Sequence, residues 1–169
     1  MRQLPMLQLP GLDFVEQTCW HEFLDSSIRL LADLDSRLKE MHGLTLFDVL
    51  VLDLLSRGPA RKCELAQALM QPDGQMAMQI RSLRTRGLVG HCPMPYDRHA
   101  LLVSITRAGC IRVEAARRTY AEEVRSHYLD HMSHQQMIAM ADSHRRINTP
   151  LNGLIGDGLI EVPRCDEWL

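Results

Sequence analysis

The stretch that most constrains the fold runs from Pro72 to Ser104. Met76, Ile80 and Leu83 recur at helical spacing and lead into Gly87. After them come Leu88-Val89, a proline-rich tip at Pro93-Met94-Pro95-Tyr96, and an alternating run at Leu101-Leu102-Val103-Ser104-Ile105. That order reads as helix, strand, hairpin tip, strand. A short helix that ends on glycine and feeds a hairpin cannot bury its own apolar stripe, so another element has to cover it. Just upstream, Leu65, Ala66 and Leu69 recur at helical spacing, and the small Ala66 lets two short helices cross closely. The pattern is a helix-turn-helix followed by a wing.

The flanking segments read as helices. Asp13 opens the first, with Glu16 three residues on in a capping-box arrangement. Trp20, Phe23, Leu24, Ile28, Leu31, Leu34, Leu38 and Met41 form one stripe along it. The helix is about 28 residues long and spans on the order of 40 Å. A small winged unit cannot cover that length, so the half nearest Met41 reads as core and the remainder as the seat of a second copy of the chain. Gly43 ends this helix. Thr45, with Asp48 three positions on, starts the next, which runs to about Arg57 and has so little polar face that it reads as the buried central helix.

Gly58-Pro59 stops the central helix, a short helix follows from about Lys62 to Met70, and Gln71-Pro72-Asp73-Gly74 turns into the next. Beyond Gly109, a stripe at Ile111, Val113, Ala116, Tyr120, Val124 and Tyr128 predicts a further helix. Ser133 caps a last one, with Met137, Ile138, Met140, Ala141 and Ile147 on its apolar side, ending near Arg146 before Thr149-Pro150. Gly153, Gly156, Gly158 and Pro163 then imply an irregular tail. The fold class is mainly α with a small β-hairpin wing, a winged helix-turn-helix with flanking dimerisation helices.

A net charge of -2 conceals a segregation along the chain. Residues 1–56 carry 4 Lys/Arg against 9 Asp/Glu, residues 57–112 carry 9 against 3, and residues 113–169 carry 6 against 9. The basic block coincides with the helix-turn-helix and wing, which points to one face for a polyanion and another turned away from it. Five scattered cysteines with no C-x-x-C spacing read as free thiols in a reducing cytoplasm. The most apolar run, Leu44 to Leu55, is broken by Asp48 and Asp53, so neither a signal peptide nor a membrane span is expected.

Several motifs in the central stretch carry a resemblance. Leu44-Thr45, Gly58-Pro59, Glu64-Leu65-Ala66, Arg86-Gly87-Leu88-Val89, Asp97-Arg98-His99, Leu102-Val103-Ser104-Ile105-Thr106 and Gly109 lie in the order and spacing of a known family. Over about 65 residues the sequence resembles the MarR family of bacterial winged helix-turn-helix regulators. The resemblance implies a homodimer built from the first and last helices. It also implies transcriptional control through a double-stranded DNA operator with two half-sites, often released by a small ligand. It divides the chain into an N-terminal arm and dimerisation helix (1–43), a DNA-binding domain (44–109), C-terminal dimerisation helices (110–148) and a tail (149–169).

Residue by residue, a recognition helix enters the major groove and a wing reaches the neighbouring minor groove. With Met76, Ile80 and Leu83 facing inward, Gln75, Met78, Gln79 and Ser82 are the base-facing positions, a glutamine being able to pair with adenine. Arg81, Arg84 and Arg86 are placed for phosphates, and Arg98 with His99 for the wing contact. The chain departs from the family in having Gly74, Gln75, Ala77 and Met78 where relatives often carry Ser, Thr and Arg, and Gly90-His91 where they often carry Arg-Arg. Fewer phosphate contacts predict modest affinity and a shallow salt slope. The same departures motivate an alternative, a winged-helix module that binds protein and has lost DNA binding.

Met41, His42, Phe47 and Arg112 are candidates for lining the pocket of a small apolar or aromatic effector between the dimer helices and the DNA-binding unit. Cys19 sits near the start of the first helix, where some hydroperoxide-sensing relatives keep a reactive thiol; beside Trp20 on an apolar stripe such a cysteine is more often core. His127 and His131, four apart on one predicted helix face, lack a full ligand set, so no metal is assigned. No cofactor motif, nucleophile elbow or His-Glu-x-x-His is present, and no enzymatic activity is expected.

Overall fold

A computed structural model of the chain describes residues 8–94 and 97–155, with the side chains of 93–101, 150 and 152–155 outside the described set. The elements are α1 (Phe14–His42), α2 (Leu46–Leu55), α3 (Lys62–Ala68), α4 (Asp73–Thr85), β1 (Val89–Met94), β2 (Asp97–Ile105), α5 (Arg107–His127), a 3-10 turn (Leu129–His131) and α6 (His134–Ile155). No described helix is long and apolar enough to cross a membrane.

The helix starts follow local chemistry. Asp13 accepts the Glu16 N–H at 2.9 Å while Glu16 accepts the Asp13 N–H at 2.8 Å, closing the capping box of α1. Gly43, at φ 64°, ends α1 in the left-handed conformation that glycine adopts without penalty. Thr45 and Asp48 repeat the box at α2. There α1 also contributes a second acceptor, because Asp35 takes the Leu46 N–H at 2.8 Å. Burial opposes the ionised form of Asp35, but Lys39 at 2.6 Å and the Leu46 N–H outweigh it and hold the carboxyl below its ordinary range.

The core centres on α2. Leu38 of α1, Val51 and Leu52 of α2, Met76 and Leu83 of α4, and Ala116 of α5 are all fully buried. Every buried side chain among the described residues lies between Leu34 and Thr119. The hairpin pairs Val89 with Ile105 through Pro93 with Leu101, and an irregularity follows at Pro93/Met94. Ala60 adds one rung beside it, donating to the Val103 carbonyl at 3.0 Å and accepting the Val103 N–H at 2.9 Å. The segment after Gly58-Pro59 is therefore a sheet contact as well as a stop.

Thr106-x-x-Gly109 joins the wing to α5. The Thr106 hydroxyl donates to the Gly87 carbonyl at 2.7 Å and accepts the Gly109 N–H at 3.1 Å, which caps α5 and ties it to the end of α4. A Cβ at Gly109 would stand 2.2 Å from the Leu88 carbonyl oxygen, so only glycine fits this approach.

Three expectations need correction. α6 does not end near Arg146 but continues through Thr149 and Pro150 to Ile155, so the first part of the expected tail is helical. A proline disfavours a helix interior without forbidding it, and Thr149 Oγ1 donates to the Arg145 carbonyl at 2.9 Å along that stretch. Residues 156–169 of the tail lie outside the described residues. On α5, Ile111 is 66% exposed and leaves the expected stripe, whereas Val113 and Ala116 are buried, Tyr120 and Val124 pack half-buried against the core, and Gly109 and Thr119 join the inward side. Finally, α5 ends at His127, so His131 belongs to the 3-10 turn and does not share a helix face with His127.

Candidate nucleic-acid interface

Helix α4 is seated by Met76, Ile80 and Leu83, all buried. Packing on that side leaves the opposite face open: Gln75, Met78, Arg81, Ser82 and Arg84 are exposed, and Gln79 is half-buried. Among the described residues, the side chains of Arg81 and Arg84 make no ion pair, leaving two cations free on the outward face. Arg98 and His99 fall on β2, but their side chains lie outside the described residues.

Arg86 is held within the protein. Its Nη2 donates to Asp48 at 2.8 Å and its Nη1 to the Gly43 carbonyl at 2.9 Å. Asp48, whose side chain is 4% exposed, also accepts from the Thr45 N–H at 3.0 Å and from Gln79 Nε2. One buried carboxylate thus fastens the start of α2, the outward face of α4 and the corner after α4. Removing Arg86 would leave Asp48 as an uncompensated buried charge, which costs about 3–5 kcal/mol. Sequence reasoning assigned Asp48 to a capping box and missed its second role. The signal that could have found it was an aspartate inside an otherwise apolar helix, since a buried charge needs a cation.

Between α4, the start of α2 and the end of α1 lies an open concavity of about 660 Å3. Gln75, Met78, Gln79, Ser82 and Arg86 line it together with Lys39, Gly43, Thr45, Asp48 and Gln71. The residues expected to line an effector pocket lie elsewhere. The Arg112 guanidinium donates to the His42 carbonyl at 2.7 Å and His42 Nε2 stands 2.8 Å from Thr119 Oγ1, whereas Met41 and Phe47 are exposed.

Cys19 is exposed on α1. His127 Nε2 stands 3.1 Å from Glu123 and 3.7 Å from Asp33, a grouping across α1 and α5 that the sequence did not bring out. Arg37 bonds the other Glu123 oxygen at 3.2 Å, so the group is a polar clasp between the two helices.

No protein-family model matches the chain, and no curated protein matches it. Solved structures do. AbsC, a MarR family transcriptional regulator from Streptomyces coelicolor, is 25% identical with a TM-score of 0.79, covering 86% of this chain and 99% of its own. Sco3205, a MarR family regulator from the same organism in complex with DNA, is 19% identical with a TM-score of 0.78, covering 93% and 98%. BpsR from Bordetella bronchiseptica, whose DNA binding is regulated by 6-hydroxynicotinic acid, is 21% identical with a TM-score of 0.70, covering 82% and 98%. The six helices, the hairpin after the glycine corner and these likenesses along nearly the whole chain give this protein the winged helix-turn-helix fold of the MarR family regulators it is similar to.

Proposed function

We propose that the protein is a cytoplasmic, homodimeric repressor that binds a pseudo-palindromic DNA operator and is released by a small apolar or aromatic effector. The observation that carries this reading is the outward face of α4, polar and partly cationic over a fully buried seat. A helix so presented fits the major groove, and a two-fold pair of them fits two half-sites about one helical turn apart. In this reading Gln75, Met78, Gln79 and Ser82 face bases, Arg81 and Arg84 reach phosphates, and Arg98 and His99 serve the wing. Arg86, fastened to Asp48, holds α4 at its angle rather than reaching outward. Residues 44–109 form the DNA-binding domain, and 1–43 with 110–148 form the dimerisation helices, to which the helical extension to Ile155 is added.

Likenesses support the two partners. Sco3205 was solved with DNA, and the DNA binding of BpsR is regulated by a small aromatic acid. In this reading an effector seated at His42 and Arg112, which bond where α1 meets α5, would alter how the arms hold the DNA-binding unit.

The test is fluorescence anisotropy of the purified protein with a duplex from its own upstream region, against an unrelated duplex, at two salt concentrations. Preferential binding that weakens as salt rises is expected. A folded protein that shows no preference for any genomic fragment would favour the second reading, a protein-binding module. Met78 at 67% and Met70 at 72% exposure give that reading its observation, since both present apolar surface on the winged unit.

A further inference from the structure

The hydrogen bonds beneath Gln79 go further than the proposed DNA-binding function, on which the following rests. We infer that Gln79 presents only a hydrogen-bond acceptor to the major groove, so that one position of each half-site takes either adenine or cytosine, and that Asp48 determines this from below.

The two oxygens of Asp48 set the orientation. Oδ2 accepts the Thr45 N–H at 3.0 Å and Arg86 Nη2 at 2.8 Å, and Oδ1 accepts Gln79 Nε2. A carboxylate oxygen accepts and never donates, so the Gln79 amide must turn its NH2 inward. The second hydrogen of that NH2 is directed at Thr45 Oγ1, 3.3 Å away. Both donors of the amide are thereby committed to protein. Its Oε1 makes no hydrogen bond within the described residues, and the side chain lines the open concavity beside Gln75, Met78 and Ser82.

A glutamine with both ends free reads adenine by donating to N7 and accepting from the N6 amino group. With its donors engaged below, Gln79 can only accept. In the major groove adenine offers an amino group at N6 and cytosine one at N4, while guanine and thymine offer acceptors at that edge. The side chain therefore accepts both amino-bearing bases and excludes both carbonyl-bearing ones. Asp48 is a positioning residue, acting on the DNA through the orientation of the amide.

Asp48→Asn makes a sharp prediction. Thr45 N–H and Arg86 still require an oxygen at the Oδ2 position, so the asparagine NH2 falls at the Oδ1 position and faces Gln79. The Gln79 amide then has to reverse, accepting from Asn and from the Thr45 hydroxyl, and its NH2 turns to the groove. Preference should invert from adenine or cytosine to guanine or thymine.

The experiment is selection from a randomised duplex library by the full chain in three forms: wild type, Asp48→Asn and Gln79→Met. The wild type should enrich a motif with one adenine-or-cytosine position per half-site, guanine and thymine there being disfavoured by about fivefold. The Asp48→Asn variant should invert that position alone, an outcome that mere loss of stability cannot produce. Gln79→Met, on a half-exposed site and of similar length, should erase discrimination there while leaving the rest of the motif; it decides the matter should Asp48→Asn fail to fold. A wild-type motif that demands adenine alone, or a motif unchanged in both variants, overturns the inference while leaving DNA binding intact. A wild type that enriches nothing overturns the DNA-binding reading itself, and the inference with it.

Discussion

The centre and the arms of this molecule differ in how they satisfy their apolar residues. From Leu34 to Thr119 the chain closes a core of its own: α2 is surrounded by the end of α1, by α4, by the hairpin and by α5. The first two-thirds of α1 and all of α6 contribute no buried residue among those described. Phe23, Ile28 and Leu31 on α1 are 46%, 48% and 49% exposed, and Ile138 and Ile147 on α6 are 60% and 55% exposed. Phe23 meets the His144 ring at 6.0 Å, so the two arms lean on each other without covering their stripes. A unit with a core of its own is joined to helices whose apolar stripes stay open among the described residues. Apolar surface that recurs along two long helices supports the proposed homodimer, in which a second copy would cover it.

Substitutions can break or sharpen that contrast. The largest effect is expected at Gly109, where alanine drives a Cβ into the Leu88 carbonyl oxygen and Ile105. Chemical denaturation should show a loss of about 3 kcal/mol or more, because backbone is the obstacle. In the arms, Phe23→Glu combined with Leu31→Glu should act differently. Both side chains are half-exposed, so circular dichroism should be nearly unchanged, whereas light scattering should show self-association weakened by at least about tenfold, about 1.4 kcal/mol. Equal loss of fold at both places would mean that the arms belong to the same core.

Asp35 lies at the junction of the two regions. Its folded carboxyl is held below the ordinary range, so the unfolded chain binds the proton more readily as pH falls. The stabilisation is therefore present above the unfolded carboxyl value and lost as pH drops through the lower folded one. Asp35→Asn should flatten that part of the acid limb of a stability-against-pH curve, by about 1 kcal/mol or less for so partly exposed a pair. The smallest effect is expected at Met70, a non-glycine residue at φ 51° in the turn between α3 and α4. Met70→Gly relieves left-handed strain while adding chain entropy to the unfolded state, and a gain of about 0.5 kcal/mol in a thermal melt is the expected balance.

What could be read from the sequence was local. Asp13 with Glu16, Thr45 with Asp48 and the glycines after α1 and α4 announce helix ends through bonds made within a few residues. The inward set Met76, Ile80 and Leu83 followed from periodicity alone. Tertiary pairings were harder to read. The grip of Asp48 on Arg86 spans 38 residues and that of Arg117 on Asp53 spans 64, and nothing in spacing reports either. Pro150 signals a helix end by its local cost, yet the helix continues to Ile155. At the interface, outward positions on α4 followed from the helix period, but the state of Gln79 and Arg86 depends on a carboxylate contributed by another helix.

The most direct measurement is analytical ultracentrifugation of the full chain, alone and with its selected duplex. Alone, the protein should sediment at twice the 19.3 kDa chain mass. With DNA present, two chains should bind one duplex, and the complex should dissociate as salt is raised. A single chain with its arms uncovered at micromolar concentration, or a dimer that ignores the duplex, would contradict the account.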